Sequence, residues 1–376
     1  MSAQANDMIQ EAETMSQKRI IIAGGGTGGH IFPAIAIANA LRRNAPATEI
    51  LFVGAKGKME MERVPQAGYR IEGIDIAGFN RSSLIKNIAL PFKLVKSFFQ
   101  VRRILSRFKP DGVIGVGGYS SFPVLRYAQA SGIATFIHES NSFAGKSNIL
   151  LGKNATKIFV ATDGMERFFP AGKIMITGNP VRPEIVNVSS VSKEEALRFF
   201  GLGAERKTLL IVGGSLGARS INEAVDSGLH QLLAAGLQVI WQTGKLYTPT
   251  AGKPKEHVWV NDFITRMELA YAAADIVISR AGAMAIAELC VVKKPVVFVP
   301  YPFAAEDHQT VNAMNLVQKN AALMVKDSEA SEKMIPVILA LAKDEQEQNK
   351  LKNNIAQYAV TNADEQVANE ILRTIG

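Results

Sequence analysis

Five glycines and a threonine run into a histidine: Gly24-Gly25-Gly26-Thr27-Gly28-Gly29-His30. A glycine turn that opens a helix attracts an anion, because backbone N–H groups and the helix dipole converge there. The histidine adds a group that exchanges protons near neutrality, and a positive helix end favours its neutral, proton-accepting form. Three more glycine-bearing stretches follow: GVGGYSSFP, GGSLGARS and SRAGAMAIAEL. In the second of these, Gly214, Ser215 and Leu216 can offer N–H groups, and Ser215 its hydroxyl, to a diphosphate. In the third, Glu288 falls inside a helix expected from about Gly282. Its carboxylate there either accepts both hydrogen bonds of a ribose diol or is an ordinary solvated helix residue. Glu306, Asp307, His308, Gln309 and Asn312 crowd a loop beyond Pro300-Tyr301-Pro302, and His138, Glu139 and Asn141 lie just past another apolar run. Such polar loops after strands are where sugar hydroxyls are read.

Other chemistries fit less well. Gly24, Gly26 and Gly29 satisfy the G-x-G-x-x-G of dinucleotide enzymes, but that fingerprint needs an acid at the end of the second strand. The second strand ends instead in Gly54-Ala55-Lys56, and Glu49 lies at its other end. Gly213-Gly214-Ser215-Leu216-Gly217 matches a serine nucleophile elbow, without an acid–histidine pair in the usual order downstream. The five histidines are scattered, with no Cys–His cluster and no Asp-x-Asp pair, so no metal and no other cofactor is expected.

These residues need a scaffold of parallel strands. Apolar runs at 20–23, 50–53, 112–116, 135–137, 157–160 and 173–176 alternate with helical patterns. After TGNPVRPEI the rhythm restarts, with a helix at 193–200 and strands at 208–212, 238–241, 258–261, 276–279 and 296–299. Pro33 suits the first turn of the helix after the glycine loop. Two doubly wound α/β domains are therefore expected, residues 18–183 and 184–362. Ligands would lie at the carboxyl ends of their strands, in a cleft between the domains. Residues 1–17 are polar and read as a loose tail, and 363–376 as a final helix that periodicity assigns to neither domain. The 376 residues contain no run of apolar residues long enough for a membrane span, and the single cysteine, Cys290, fits a reducing compartment.

The net charge of +8 asks for an acidic partner. From residue 76 to 110 there is no Asp or Glu, but Arg81, Lys86, Lys93, Lys96, Arg102, Arg103, Arg107 and Lys109 are basic. Leu94, Phe98, Val101, Leu105 and Phe108 share one helical face. The preceding loop and helix start carry Phe79, Leu84, Ile85, Ile88, Leu90, Pro91 and Phe92, more apolar surface than one short connection buries. An apolar patch ringed by Lys93, Lys96 and their neighbours suits an anionic membrane surface. Nucleic acid is the weaker partner, since no binding module is recognisable.

Taken in order, GGGTGGHIFPA, GGYSSFP, HESNSFAG, TGNPVR, GGSLGA, ELAYAAADIVISRAGAMAIAE and HQTVNA resemble the MurG family, a bacterial branch of glycosyltransferase family 28. These transferases add N-acetylglucosamine to the lipid-linked muramyl-pentapeptide precursor of peptidoglycan, in cell wall biogenesis. The resemblance covers the chain from about Lys18 onward and implies the GT-B fold, two Rossmann-like domains facing a cleft. It implies UDP-GlcNAc (UDP-N-acetylglucosamine) as donor, held mainly by the second domain, and lipid I (undecaprenyl-pyrophosphoryl-MurNAc-pentapeptide) as acceptor at the first. It also implies a last helix crossing back to the first domain, and a peripheral position on the cytoplasmic face of the bacterial inner membrane. By motif, Thr27, Gly28 and Gly29 line the donor-sugar side, with Asn141 near the sugar, and Arg182 and Ser215 meet the diphosphate. Ile264 offers its backbone to uracil, and Ala283, Met284, Ala285, Ile286, Ala287 and Glu288 wrap the nucleoside, with Glu288 on the ribose. Gln309 reads sugar hydroxyls. The chain departs from the family pattern at Ser140, Ala281 and Glu306-Asp307. His30 and Glu139 are the two candidates for the base that deprotonates the acceptor hydroxyl.

Overall fold

The computed structural model describes residues 17–77, 90–214, 216–250, 256–304 and 307–376. The chain divides into two compact units. One comprises residues up to Glu139 together with Ala144–Thr177 and Asp364–Gly376; the other comprises Ser140–Phe143 and Gly178–Ala363.

The first unit is built on a seven-stranded parallel sheet. Its strands are β1 (Arg19–Ala23), β2 (Glu49–Ala55), β3 (Arg70–Ile74), β4 (Gly112–Gly115), β5 (Ala134–Glu139), β6 (Lys157–Val160) and β7 (Ile174–Ile176). The strand order is β3-β2-β1-β4-β5-β6-β7. The chain therefore winds outward from β1 to β3, then returns to lay β4 against the other side of β1. That reversal opens a crevice at the carboxyl ends of β1 and β4. Both faces of the sheet are covered, which is why β1 reads as an unbroken apolar run. Ile20 and Ile22 pack on one face with Ile31, Ile37 and Leu41 of α1 (Gly28–Asn44). Ile21 and Ala23 pack on the other face with Val101 and Leu105, and with Val124 and Leu125. The intervening helices are α2 (Glu60–Gln66), α3 (Leu90–Phe108), α4 (Ser121–Ala130) and α5 (Lys146–Gly152). The C-terminal helix, Ala363–Ile375, adds Val367, Ala368 and Ile371 to the α1 side of the core. Arg43 pairs with Asp364 at 2.9 Å, and Lys18 Nζ donates to the Ile375 carbonyl at 3.2 Å.

The second unit holds a six-stranded parallel sheet: β8 (Lys207–Val212), β9 (Leu237–Gln242), β10 (Val258–Asn261), β11 (Ile276–Ser279), β12 (Val296–Phe298) and β13 (Leu323–Met324). Its order, β10-β9-β8-β11-β12-β13, places the reversal between β8 and β11. Its helices are α6 (Pro183–Val186), α7 (Lys193–Phe199), α8 (Arg219–Ala234), α9 (Met267–Ala273), α10 (Ala283–Val292), α11 (His308–Val317), α12 (Ala330–Lys343) and α13 (Glu345–Ala356). Cys290 is buried in this core, and burial pushes its thiol up to about 12, so it behaves as a small apolar side chain.

Several details differ from the expectations. The edge strands β3 and β13 carry too little apolar pattern to announce themselves: RIEGI in one, two residues in the other. Pro33 is the sixth residue of α1 rather than in its first turn, because the helix already begins at Gly28. His138 and Glu139 end strand β5 instead of following it. The second unit starts at Gly178, and takes Ser140–Phe143 with it.

Candidate active site

In the first unit, the reversal point brings together the loops that follow β1 and β4. Thr27 closes the glycine turn, and its carbonyl accepts from the His30 and Ile31 N–H groups, so His30 stands in the first turn of α1. Its Nδ1 lies 3.1 Å from the Gly25 carbonyl, and Thr27 Oγ1 is 3.5 Å from the same nitrogen. A carbonyl only accepts, so Nδ1 carries the proton of that bond, and in the neutral ring Nε2 is then the basic nitrogen. The ring rests on Gly117 of the β4 loop: a Cβ there would come within 2.6 Å of His30 Cδ2, at a φ of +95°. The Ser121 hydroxyl lies 2.8 Å from the Ala23 carbonyl and 2.9 Å from that of Gly117, tying the two loops together. Beneath the turn, Glu60 is 1% exposed and accepts from the Gly26 N–H at 2.7 Å and the Ala55 N–H at 2.9 Å. Glu139 is also buried, and its Oε2 accepts from the Gly145 N–H at 3.0 Å and from Asn148 Nδ2 at 2.8 Å.

In the second unit, the loops after β8 and β11 occupy the equivalent place. Gln242 is buried at the end of β9. Its Nε2 donates to the Gly214 carbonyl at 3.0 Å, and its Oε1 accepts the Ile264 N–H at 3.0 Å. One side chain therefore sets both the glycine loop and the segment carrying Ile264. Helix α10 opens at Gly282, whose carbonyl accepts from the Ile286 N–H. Within the helix, the N–H groups of Ala283, Met284 and Ala285 have no acceptor four residues back, which is the arrangement that receives an anion or a polar ligand atom. Ala283 to Ala287 are half-buried.

Glu288 is buried rather than solvated, and its carboxylate is engaged. Oε1 accepts from Arg182 Nε at 2.9 Å and Nη2 at 2.8 Å, and Oε2 accepts from the Tyr271 hydroxyl at 3.1 Å. Burial pulls the Arg182 guanidinium down, but the charge and hydrogen bonds of Glu288 outweigh it and its pKa is raised. Burial, followed by the Glu288 charge, pushes the Tyr271 phenol well above its usual value, so it remains a donor through the neutral range. A carboxylate has about four acceptor positions. With three donors in place, a ribose diol at Glu288 must share Oε1 or Oε2 with Arg182 or Tyr271.

The segment Ser140–Phe143 is held by side-chain amides of the same unit, two of them, Asn312 and Asn179, buried. Asn312 of α11 accepts the Ser142 N–H at 3.2 Å and directs its Nδ2 to Asn141 Oδ1 at 3.5 Å and to the Ala281 carbonyl at 3.3 Å. Asn315 Nδ2 reaches Ser142 Oγ at 2.9 Å, and Asn179 Nδ2 reaches the Ser140 carbonyl at 3.0 Å. Gln309 Oε1 accepts the Tyr301 N–H at 3.0 Å, which turns its amide nitrogen away from that bond.

Two family descriptions match the chain: the Glycosyltransferase family 28 N-terminal domain over residues 20–160, and the family 28 C-terminal domain over residues 208–367. The chain belongs to glycosyltransferase family 28. Among its relatives in the family, a Parabacteroides distasonis protein is 50% identical over 96% of this chain and 99% of its own length. One from Phocaeicola vulgatus is 53% identical over 94% and 96% respectively. Both are named UDP-N-acetylglucosamine--N-acetylmuramyl-(pentapeptide) pyrophosphoryl-undecaprenol N-acetylglucosamine transferase. The crystal structure of Acinetobacter baumannii MurG superposes with a TM-score of 0.74 at 30% identity, covering 95% of this chain and 99% of that one. The two parallel-sheet units are thus those of a GT-B glycosyltransferase of family 28.

Of the residues singled out in the sequence, the structure gathers Thr27, Gly28, Gly29 and His30 on one turn, beside Gly117. In the other unit it gathers Arg182 with Glu288, and Asn141 with Asn312. Phe79, Arg81, Leu84, Ile85, Lys86, Ile88, Ser215, Glu306 and most of the N-terminal tail lie outside the described residues. Glu60, Gln242, Tyr271 and Asn179 escaped the sequence reading. So did Arg280, which binds the carbonyls of Val299 and Pro300 at 2.9 and 3.1 Å and Asp327 at 2.5 Å, fixing the start of the Tyr301 loop. A glutamine closing the apolar run Val239-Ile240-Trp241 was the one legible signal among them.

Where the sequence suggested a membrane patch, the amino-terminal half of α3 carries an exposed apolar surface. Phe92, Val95 and Phe99 are exposed at 78%, 57% and 67%, and with Pro91 and Lys96 they line one shallow apolar hollow. The predicted stripe splits: Val101, Leu105 and Phe108 are buried against the sheet, whereas Leu94 is exposed. Lys96 pairs with Asp75 at 3.0 Å, and hydrogen bonds from Lys96, Gln100 and Lys56 hold the Asp75 carboxyl down at about 2. Lys96 is therefore a neutralised rim of the hollow more than a free cation. Among the described residues, no helix is long and apolar enough to cross a membrane.

Proposed function

We propose that the chain moves N-acetylglucosamine from UDP-GlcNAc to the muramyl 4-hydroxyl of undecaprenyl-pyrophosphoryl-MurNAc-pentapeptide, with inversion at the anomeric carbon. The observation that carries this is the near-full-length identity to relatives whose names state that transfer. The site geometry supports it. His30 Nε2 takes the proton of the acceptor hydroxyl as its oxygen bonds to the anomeric carbon, and the bond to the diphosphate breaks with its electron pair leaving on UDP. The N–H groups that open α10, and the Gly214 loop, supply donors for that developing charge without calling for a metal. The Ile264 backbone carries the base, Arg182 and Glu288 the ribose–diphosphate region, and Asn141 and Gln309 the sugar. Incubation with UDP-GlcNAc labelled in the sugar tests the reaction class. Label should move to the polyprenyl product only when that acceptor is added. Label on free N-acetylmannosamine, with or without acceptor, would make the protein an epimerase instead. A glycolipid-forming transferase would transfer label to other lipid acceptors and not to this one.

The acceptor is anchored in a bilayer, since each buried CH₂ contributes about 0.8 kcal/mol to its retention. The α3 hollow supplies apolar side chains for insertion, and Lys93, Arg102 and Arg103 supply charge for an anionic surface. The enzyme therefore works as a peripheral protein at the cytoplasmic face of the inner membrane, and nucleic acid is not a partner. Cosedimentation with phosphatidylglycerol vesicles should exceed that with phosphatidylcholine vesicles and fall with salt. Changing Phe92, Val95 and Phe99 to Ser should abolish it. Equal binding to both vesicle types, or no loss in the triple variant, would remove α3 from membrane docking.

A further inference from the structure

A buried carboxylate in the first unit is not accounted for by the reaction as described. Glu60 begins α2, is 1% exposed, and lies against the glycine turn. Space for it is made by two glycines: a Cβ on Gly25 would fall 2.3 Å from Glu60 Cδ, and one on Gly54 would fall 2.5 Å from Glu60 Cγ. A buried carboxylate costs free energy unless its hydrogen bonds repay it, so apolar packing alone does not explain this residue.

Its bond to Gly26 is the informative one. The N–H of Gly26 and the carbonyl of Gly25 belong to one peptide group, and no peptide bond among the described residues is cis, so the two point in opposite directions. The N–H side meets Glu60 Oε2 at 2.7 Å; the carbonyl side meets His30 Nδ1 at 3.1 Å. We propose that Glu60 is a positioning residue for His30, acting through the Gly25–Gly26 peptide. A carboxylate on the N–H end polarises the peptide and makes its carbonyl a stronger acceptor. That fixes the Nδ1–H tautomer, presents Nε2 as the acceptor, and stabilises the imidazolium once Nε2 has taken the acceptor's proton. The relay resembles the carboxylate that orients a catalytic or metal-bound histidine, with one peptide group interposed. It also occupies the Gly26 N–H internally, so that N–H is not offered to a ligand anion.

The proposal rests on His30 being the base, and the test separates the two. Glu60→Gln keeps the shape and removes the charge. In the full-length enzyme it should lower kcat roughly 10–100-fold, with the KM for UDP-GlcNAc and the affinity for UDP unchanged. The acidic limb of kcat/KM should move to lower pH, because the carboxylate no longer favours the protonated ring. In a His30→Ala background, Glu60→Gln should cost less than about two-fold more, since the group it acts through is gone. If the glutamine variant does not fold, Glu60→Asp, which keeps the charge but shortens its reach to the Gly26 N–H, replaces it: its loss in kcat should likewise shrink to less than about two-fold in the His30→Ala background. An unmoved pH limb, or an equal loss in both backgrounds, would make Glu60 a structural residue and overturn the proposal while leaving His30 as base. Near-normal turnover in His30→Ala alone would overturn the base assignment, and this relay with it.

Discussion

Replacing His30 by alanine should lower kcat by about 10²–10⁴-fold while leaving UDP affinity essentially unchanged. The size follows from general-base catalysis, and the split follows from the fold: the diphosphate donors proposed here belong to the other sheet, at α10 and the Gly214 loop. The ring is held on three sides, by the Gly25 carbonyl, the Thr27 hydroxyl and the Gly117 backbone. A group so confined gains catalytic value from its orientation, and a smaller side chain leaves nothing to take its place. Glu139 is the competing base. Its Oε2 already accepts from two donors that order the turn at 145–148, so Glu139→Gln should weaken that turn and reduce turnover less than the loss of His30. Steady-state kinetics on the two variants, with UDP affinity from calorimetry, decide the matter. Full turnover in His30→Ala with collapse in Glu139→Gln would transfer the role to Glu139.

The second large effect is expected at the Arg182–Glu288 pair. Both side chains are mostly withdrawn from water, and Tyr271 completes the cluster. Removing one partner strands the other as a buried, uncompensated charge, which costs roughly 3–5 kcal/mol of stability. Arg182→Ala and Glu288→Ala should each lower the unfolding midpoint and raise the Kd for UDP at least about ten-fold, since a charge-assisted bond is worth ~1.5–3 kcal/mol. The double variant should be less destabilised than the two single losses added together, because no lone charge remains. Denaturant unfolding of the four proteins measures that coupling. Additive losses would mean that the pair is energetically idle. Unchanged UDP affinity in both single variants would remove Glu288 and Arg182 from nucleotide binding.

How much of this was legible beforehand depended on how local each feature is. The apolar runs of β1, β8 and β11 are buried on both faces and announce a parallel sheet directly, as do the glycine turns after them. Edge strands such as β3 have one neighbour and carry charge, so their pattern fades. The glycine loop and His30 are adjacent in sequence and were found together. Arg182 and Glu288 lie 106 residues apart, and although each was marked for the nucleotide, nothing in the sequence indicated that they bind each other. Glu60 reads as one more charge in KMEMER, since its burial depends on gaps left by Gly25 and Gly54 in two other segments. Phe92 was anticipated as part of an apolar surface, but the exposure of Val95 and Phe99 and the pairing of Lys96 with Asp75 required the fold.

The most direct test of the account is the product itself. Wild-type protein given UDP-GlcNAc and undecaprenyl-pyrophosphoryl-MurNAc-pentapeptide should release one UDP for each disaccharide formed. Proton NMR of that disaccharide should show a β linkage to the muramyl 4-hydroxyl, the outcome of one in-line displacement on an α-linked donor. An α linkage, or UDP release at the same rate without acceptor, would contradict it.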